Sequence, residues 1–243
     1  MYPSTDVIEY QIYPFLSLPK LYQLYLRRFP GAESALKKRL STLSLDELVD
    51  LWQKSHNQLI IPYLDKAAAK YSYTDLLTVW SSSRAQPLLP VLATKMEEHP
   101  DEAIHDILDL DDPELLPYAP SFDEEELLAQ ALEQVKWKIA IYLVEKYGPQ
   151  LLCEVEDYQG RYRFNLLPSR LVSGSAKLTQ MFRQYPTYIP CLIRGASPSD
   201  IVGVLSRIGF VTEPVLREIH DPSLRDYLAK ELPLRGEFPG FPM

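Results

Sequence analysis

LIIPYL (59–64) and PLLPVL (87–92) decide the fold of this sequence, because each sets a proline between two apolar pairs. A close copy of this core is ELLPYA (114–119). Three looser copies are QIYPFL (11–16), TYIPCL (187–192) and VTEPVL (211–216). Proline lacks an N–H and fixes φ, so a helix tolerates it only in the first turn, where that donor has no partner anyway. Each copy is therefore predicted to mark the start of a helix.

An amphipathic helix is predicted on the N-terminal side of both LIIPYL and PLLPVL. Apolar residues recur at i, i+3, i+4 and i+7 in two stretches that lie 28 residues apart: Leu45, Leu48, Val49 and Trp52, then Tyr73, Leu76, Leu77 and Trp80. Ser44 and Glu47 have the spacing of a capping box at the start of the first stretch. The pattern predicts a repeated unit of helix, short turn and proline-started helix. We expect Trp52 and Trp80 to occupy equivalent buried positions in neighbouring units.

The predicted fold class is all-α. One helix hairpin cannot cover its own apolar face, so neighbouring hairpins must stack, as an α-solenoid-like or a compact helical array. The alternating aromatics around Gln159-Gly160 indicate at most one small β-hairpin, near 154–167. We predict an N-terminal helical-repeat region over 1–120, a C-terminal helical region over 121–232 and a Pro/Gly tail over 233–243. The whole is expected to form one continuous globule.

Helices are also predicted throughout the second half. Ser121 is expected to cap a helix that carries acids in its first turn, DEEELLAQALEQ, and KWKIAIYLVEKYG (136–148) is expected to end at Gly148-Pro149. Four further helices are expected at 169–185, 198–208, 212–219 and 222–231.

Composition restricts the class of protein. Cys153 and Cys191 are the two cysteines among 243 residues, without a CxxC, so we expect two buried thiols and a reducing compartment. The N-terminus has no pattern typical of a signal peptide, and no apolar run approaches the ~20 residues of a membrane span. We therefore expect an intracellular protein, cytoplasmic or nuclear, that does not contact a membrane. The net charge of −8 disfavours a surface that binds nucleic acid throughout.

Two stretches carry a resemblance to known families. DVIEYQIYPFLSLPKLYQLYLRRF (6–29) resembles the start of an F-box, with apolar residues at the positions typical of that family: Ile12, Phe15, Leu16, Leu21, Leu24 and Phe29. Residues 123–148 resemble the helix pair of an ankyrin repeat, although the ankyrin TPLH turn is absent. Proteins that pair an F-box-like end with helical repeats occur in large DNA viruses and among ubiquitin-ligase adaptors. The resemblance implies an adaptor. Tyrosines are common interface anchors, so we expect Tyr10, Phe15, Tyr22 and Tyr25 on docking helices, unless residues 1–29 only cap the helical array.

No catalytic motif is recognisable, and we expect no catalytic residue, metal or cofactor. Asp101, His105 and Asp109 share a helical face where metal ligands could lie, but a solvated acidic surface explains them more simply. SGSAKLT (173–179) has a partial likeness to a phosphate loop and lacks its Gly-Lys-Ser/Thr order. Neither pattern outweighs its structural explanation, although residues that converge only in space could still form an enzyme.

Charge segregation is the strongest functional signal. Residues 96–135 contain fourteen acids and no Lys or Arg, whereas 158–199 contain six bases and no acid. A third, basic block consists of Lys20, Arg27, Arg28, Lys37, Lys38 and Arg39. The blocks either neutralise each other within the fold or form docking surfaces for partners.

These blocks define two functional hypotheses. The first is a non-enzymatic protein–protein interaction or scaffold protein that binds an unidentified protein partner through charged faces or N-terminal helices. The alternative is a nucleic-acid-associated protein that uses 158–183, where bases alternate with aromatic residues as phosphate and base contacts require. The residues expected in that patch are Arg161, Tyr162, Arg163, Arg170, Lys177 and Arg183.

Overall fold

A computed structural model describes Tyr13, residues 16–153, Val155 and residues 168–236. Contacts divide the chain into two compact units, Met1–Pro100 and Asp101–Met243, whereas the sequence pattern predicts a change near residue 120. Helices dominate both units, as predicted, and the strands that are described form one small two-stranded sheet.

Three helix hairpins build the described part of the first unit. Their helices are α1 (Leu18–Leu26) and α2 (Ala32–Leu40), α3 (Leu45–Ser55) and α4 (Ile61–Ala68), and α5 (Tyr73–Ser83) and α6 (Leu89–Glu98). One 3₁₀ turn, Gln58–Ile60, precedes α4, and another, Gln86–Leu88, precedes α6. Pro62 and Pro90 lie in the first turn of α4 and α6, which confirms the predicted role of the proline core.

Capping residues explain where the first helices of these hairpins begin. The Ser44 Oγ accepts the Glu47 N–H at 3.3 Å, and the Ser44 N–H donates to Glu47 Oε2 at 2.9 Å, so the predicted capping box is present. In the next hairpin the Ser72 Oγ accepts the Asp75 N–H at 3.2 Å. Both bonds satisfy a helix-start donor that would otherwise lack a partner.

Helices α1, α3 and α5, and the helix Pro100–Leu110 that follows them, end on non-glycine residues in the left-handed region. Arg28, His56, Arg84 and Asp111 have φ values of 56°, 48°, 54° and 48°, at intervals of 28, 28 and 27 residues. This conformation costs a residue with a Cβ about 1–2 kcal/mol, so its recurrence at the repeat interval requires a common turn geometry. The repeat therefore extends to backbone conformations that the apolar stripe alone does not reveal.

Side-chain hydrogen bonds join successive hairpins of the first unit. The Asn57 Nδ2 donates to the Tyr22 hydroxyl at 2.8 Å, which ties the second hairpin to α1. The Gln53 Nε2 donates to the Ser83 carbonyl at 2.6 Å, which ties α3 to the end of α5. Equivalent apolar positions are buried in both hairpins, for example Leu64 and Leu92, which are both fully buried. The hairpins thus stack in register, as the repeat predicts.

The two tryptophans occupy equivalent positions with unequal burial. Their carbonyls accept the N–H of the left-handed residue that follows each helix, from His56 to Trp52 at 2.6 Å and from Arg84 to Trp80 at 2.8 Å. Trp80 is fully buried, whereas Trp52 is only half-buried. The prediction of equivalent positions is correct, whereas the prediction that both side chains are buried holds in full for Trp80 and only in part for Trp52.

The second unit continues with shorter and less regular helices. They are α7 (Pro100–Leu110), α8 (Glu124–Glu133), α9 (Trp137–Tyr147), α10 (Pro168–Gly174), α11 (Ala176–Gln184), α12 (Ile189–Ile193), α13 (Pro198–Ile208), α14 (Glu213–Glu218) and α15 (Pro222–Glu231). Residues 151–153 and 155 are helical as well. The prolines of TYIPCL and VTEPVL lie in the first turns of α12 and α14, as predicted. Helix α10 packs between α9 and α13.

Three predictions for the second unit need correction. Pro117 of ELLPYA lies in a 3₁₀ turn, Leu116–Tyr118, that ends in extended backbone instead of opening a helix. Asp123, not Ser121, caps α8, because its carboxylate accepts the Glu126 N–H at 2.8 Å. The helix predicted over 169–185 is broken at Ser175, whose backbone is extended and whose hydroxyl caps α11. Within the range 154–167 of the predicted hairpin the structure describes only Val155, which is helical, and the other residues lie outside the described ones.

A short parallel sheet forms where the sequence indicates none. Strand β1 (Val211–Thr212) pairs with β2 (Leu234–Arg235), with Val211 opposite Leu234. The Arg235 guanidinium lies 4.3 Å from the centre of the Phe210 ring, a cation–π contact beside the sheet. Residues up to Gly236 of the predicted Pro/Gly tail are thereby placed against the second unit.

Candidate functional site

The turn between α1 and α2 is a tight, hydrogen-bonded cap. The Arg28 N–H donates to the Tyr25 carbonyl at 2.9 Å, and the Phe29 N–H donates to the Leu24 carbonyl at 3.0 Å. This pair of bonds is a Schellman motif, which normally has glycine at the position that Arg28 occupies. Gly31, with φ of 74°, then starts α2. The turn therefore fixes the backbone positions of Arg28 and Phe29.

Exposed apolar surface lies at this turn. Leu26 is 60% exposed and Phe29 is 49% exposed, and they are the large exposed hydrophobic residues among the described part of the first unit. They border an open concavity of about 560 Å³, which is lined by Tyr25, Leu26, Arg28, Phe29, Gly31 and Glu33. Exposed apolar side chains around a concavity are typical of a docking site.

The helix pair that carries this apolar surface is rich in exposed cations. Lys20, Arg27, Arg28, Lys37, Lys38 and Arg39 are all exposed, and Glu33 is the acid between residues 18 and 43. The Glu33 carboxylate pairs with the Lys37 ammonium at 2.6 Å, and this hydrogen bond raises the pKa of Lys37 above its ordinary value. We call these six cations, Glu33, Leu26 and Phe29 together the α1–α2 surface; its six positive charges and one negative charge sum to +5, in a chain whose net charge is −8.

The predicted docking residues have different structural environments. The Tyr22 hydroxyl accepts the Asn57 hydrogen bond, so its polar end serves the packing of neighbouring hairpins. Tyr25 lines the concavity, and its ring lies 6.1 Å from that of Tyr22. Tyr10 and Phe15 lie outside the described residues. The sequence interpretation favoured tyrosines and missed the exposure of Leu26, although the run Leu26-Arg27-Arg28-Phe29 before Pro30-Gly31 could have indicated it.

Two cations of the predicted basic patch, Lys177 and Arg183, bond to groups of their own unit. The Arg183 guanidinium donates to the carbonyls of Ile208, at 2.9 Å, and Arg207, at 2.8 Å. Both carbonyls belong to the last turn of α13, where a cation offsets the negative end of the helix dipole. The Lys177 ammonium lies 3.5 Å from the Glu145 carboxylate. Arg170 is exposed, and Arg161, Tyr162 and Arg163 lie outside the described residues.

Glu145 explains the stretch with a partial likeness to a phosphate loop. The Ser175 hydroxyl donates to the Glu145 carboxylate and accepts the Leu178 N–H at 3.1 Å. A helix start binds anions because its N–H groups point outward, and here a carboxylate of the same unit lies beside the start of α11. The serine is therefore a helix cap that an internal acid supports.

The predicted acidic face is engaged with neighbouring groups of its own unit. His105 Nε2 lies 3.4 Å from Asp109 Oδ2, and the Lys136 ammonium lies 3.9 Å from Asp109 Oδ1. Asp101 is exposed on the first turn of the same helix. Within the described ranges, no three side chains of the kinds that bind metal ions converge.

The cysteines contradict the sequence interpretation. Cys153 and Cys191 form a disulfide, with Cα atoms 5.3 Å apart and a sequence separation of 38. The expectation of two buried thiols is wrong, because the fold brings residues from the segment after α9 and from α12 to bonding distance. The expected reducing compartment therefore loses its main support, since stable disulfides are typical of oxidising compartments.

Comparisons of the chain with protein-family models, with curated proteins and with solved structures find no match. The described helices include none that combines the length and the apolar character needed to cross a bilayer.

Proposed function

We propose that this protein is a non-enzymatic interaction or scaffold protein, built of stacked helix pairs, that binds a protein partner through the α1–α2 surface. One observation carries the proposal: Leu26 and Phe29 are exposed beside a concavity that Arg28 lines, on a helix pair with six exposed cations. Burying such surface in a complex removes apolar area from water, while the cations select and orient an acidic partner. Helix-repeat arrays commonly bind partners along such faces.

The test compares two charge-reversed variants of the full chain. Arg27→Glu with Arg28→Glu changes the α1–α2 surface, whereas Lys66→Glu with Lys70→Glu makes the same change of charge at exposed positions elsewhere in the first unit. Affinity capture from an extract of the native host, followed by quantitative mass spectrometry, should recover a common set of proteins with the wild type and the control variant. The surface variant should lose that set by roughly tenfold or more, the effect of about 1.4 kcal/mol. Equal recovery with all three proteins would contradict the proposal.

The nucleic-acid alternative has weaker support, because Lys177 and Arg183 already bond within their own unit. Gel retardation of single-stranded and duplex DNA and RNA at low salt tests it. Phosphate contacts release counterions, so a bound complex should weaken steeply as salt rises, and Arg161→Ala with Arg163→Ala should flatten that slope. Absence of retardation would remove this alternative.

A further inference from the structure

We propose that the disulfide between Cys153 and Cys191 is a reversible redox switch: small-molecule thiols such as glutathione open it in the folded chain, and its opening loosens helix α12. The proposal concerns the second unit and does not depend on the partner binding proposed for the α1–α2 surface. Structural disulfides resist reduction by the glutathione pool, whereas exposed ones are typically labile and regulatory. The surroundings of this bond match those of the second kind.

The disulfide lies at the rim of the core of the second unit. Cys153 and Cys191 are both half-buried, whereas the apolar residues beside them along the chain are buried: Leu152, Val155, Leu192 and Ile193. Thiol–disulfide exchange requires a thiolate to reach a sulfur atom, and a half-buried pair offers that access without global unfolding. A disulfide enclosed by a core would open only when the chain unfolds.

Each cysteine belongs to a segment that has its own anchors in the core. Buried side chains hold the segment of Cys153 through Leu151, Leu152 and Val155, and hold α12 through Ile189, Leu192 and Ile193. This apolar area stays buried when the bond breaks, so we expect the fold to survive reduction. The two Cα atoms, 5.3 Å apart, then remain at a distance that allows the bond to form again. A reversible pair needs both access and this preserved distance.

Helix α12 is the element that the bond stabilises locally. It has five residues, Ile189–Ile193, and Cys191 is the central one. A single helical turn is unstable on its own, because few hydrogen bonds offset the conformational order that it requires. The helix packs against α13 and α14, and the disulfide ties it to the segment after α9. Reduction removes this tie, so α12 should open more often while the rest of the unit stays folded.

The exchange with glutathione has two steps. In the first, a glutathione thiolate attacks one sulfur of the disulfide, the protein S–S bond breaks, a mixed disulfide forms, and the sulfur that leaves takes a proton from water. In the second, another glutathione thiolate attacks the mixed disulfide and releases oxidised glutathione, and the second protein sulfur takes a proton. The protein disulfide thus gains two electrons, and two glutathione thiols are oxidised to one disulfide. Oxidised glutathione drives the reverse reaction.

Thiol labelling of the full chain tests whether the bond opens in the folded state. The oxidised protein is incubated with millimolar reduced glutathione without denaturant, quenched with acid, and labelled with a maleimide that shifts its mobility on a gel. We expect two labels per chain, an unchanged far-ultraviolet circular dichroism spectrum, and no label after transfer to oxidised glutathione. Cys153→Ser with Cys191→Ser is the control, because it removes both cysteines of the chain. A bond that glutathione opens only in urea, or a reduced chain that loses its helical signal, would overturn the proposal.

Hydrogen exchange measured by mass spectrometry tests what the opening does. Amides at α12, such as the Arg194 N–H that bonds to the Pro190 carbonyl at 3.1 Å, should exchange roughly tenfold faster or more in the reduced chain. Amides of α8 should change by less than about twofold, since local opening leaves the other helices folded. The double serine variant should exchange like the reduced chain whether or not glutathione is present. Equal exchange at α12 in the oxidised and the reduced wild type would refute the switch, because the bond would then open without loosening this helix.

Discussion

The hairpin of α3 and α4 and the hairpin of α5 and α6 share one register but bury their tryptophans differently. Each starts on a capping serine, Ser44 or Ser72, and each has a proline in the first turn of its second helix. Trp80 is fully buried, whereas Trp52 is half-buried and meets the His56 ring edge-on at 5.0 Å. An apolar stripe determines which face of a helix turns inward, whereas neighbouring elements determine how completely that face is covered.

The tryptophans give the largest expected effect. Trp80→Ala should lower the free energy of unfolding by ~3–5 kcal/mol, because it removes a fully buried side chain and leaves a cavity. Trp52→Ala should cost ~1–2 kcal/mol, because much of that side chain is already in water. Urea unfolding followed by far-ultraviolet circular dichroism measures both values. Equal costs for the two substitutions would mean that the hairpins are equally covered in solution.

A third hairpin, α11 and α12 of the second unit, extends the comparison, because it has the same cap and proline and a disulfide besides. Replacing Cys153 and Cys191 by serine should lower the free energy of unfolding by roughly 2–4 kcal/mol. The bond closes a long loop and so removes conformations from the unfolded chain. Urea unfolding in non-reducing buffer tests this, with chemically reduced wild type as the control. A double variant as stable as the oxidised wild type would show that the disulfide does not stabilise the folded chain.

The local signals of helix starts could be predicted from the sequence. Ser44 with Glu47 has the spacing of a capping box, and proline in a first turn is allowed by its missing donor. The same logic failed at Pro117, because a proline permits a helix start without requiring one. It also failed for the helix expected over 169–185, where Ser175 competes for backbone groups and starts a new helix.

Long-range features could not be predicted in this way. The disulfide joins residues separated by 38 positions, and a spacing pattern of two cysteines carries no information about their distance in the fold. The parallel pair β1 and β2 is too short to produce an alternating pattern. Glycine in the left-handed region normally signals a helix end, but here Arg28, His56 and Arg84 occupy these positions, so the sequence gives no such signal.

The candidate site shows the same division between local and long-range information. Both basic stretches look alike in composition, yet Arg183 bonds to the end of α13, whereas Arg27 and Lys38 are exposed on the α1–α2 surface. The contacts of Arg183 join residues 24 and 25 positions apart, which no composition signal reveals. Cations in a sequence therefore indicate binding only after their internal partners are known.

Helix caps should contribute smaller and similar amounts to the hairpin of α3 and α4 and to the hairpin of α5 and α6. Ser72→Ala and Ser44→Ala should each cost about 1 kcal/mol of stability, because each leaves a helix-start N–H without its side-chain acceptor. Aspartate at either position should restore most of the loss, since its carboxylate accepts the same bond. Urea unfolding of the four variants measures this. A cost near zero for Ser44→Ala would mean that the bond from the residue-44 N–H to the Glu47 carboxylate stabilises the helix start without the serine hydroxyl.

The smallest effects concern the left-handed residues that end α1, α3 and α5. Arg28→Gly should raise stability by about 0.5–1 kcal/mol, because glycine adopts positive φ without a Cβ clash. His56→Gly and Arg84→Gly should change it less. Each removes a side chain that contacts a tryptophan, the His56 ring at 5.0 Å from Trp52 and the Arg84 guanidinium at 5.6 Å from Trp80. Such contacts contribute about as much as the backbone gain.

Thermal unfolding of the three glycine variants, with alanine variants as controls for the lost side chains, checks the order. If Arg28→Gly also weakens the partner binding proposed for the α1–α2 surface, the arginine at this turn lowers stability in favour of binding, a trade-off typical of functional positions. If the arginine variant gains no more stability than the other two, the turn after α1 needs Arg28 for its structure. The repeated left-handed turn would then be equally constrained in all three hairpins, and the α1–α2 surface would be no exception among them.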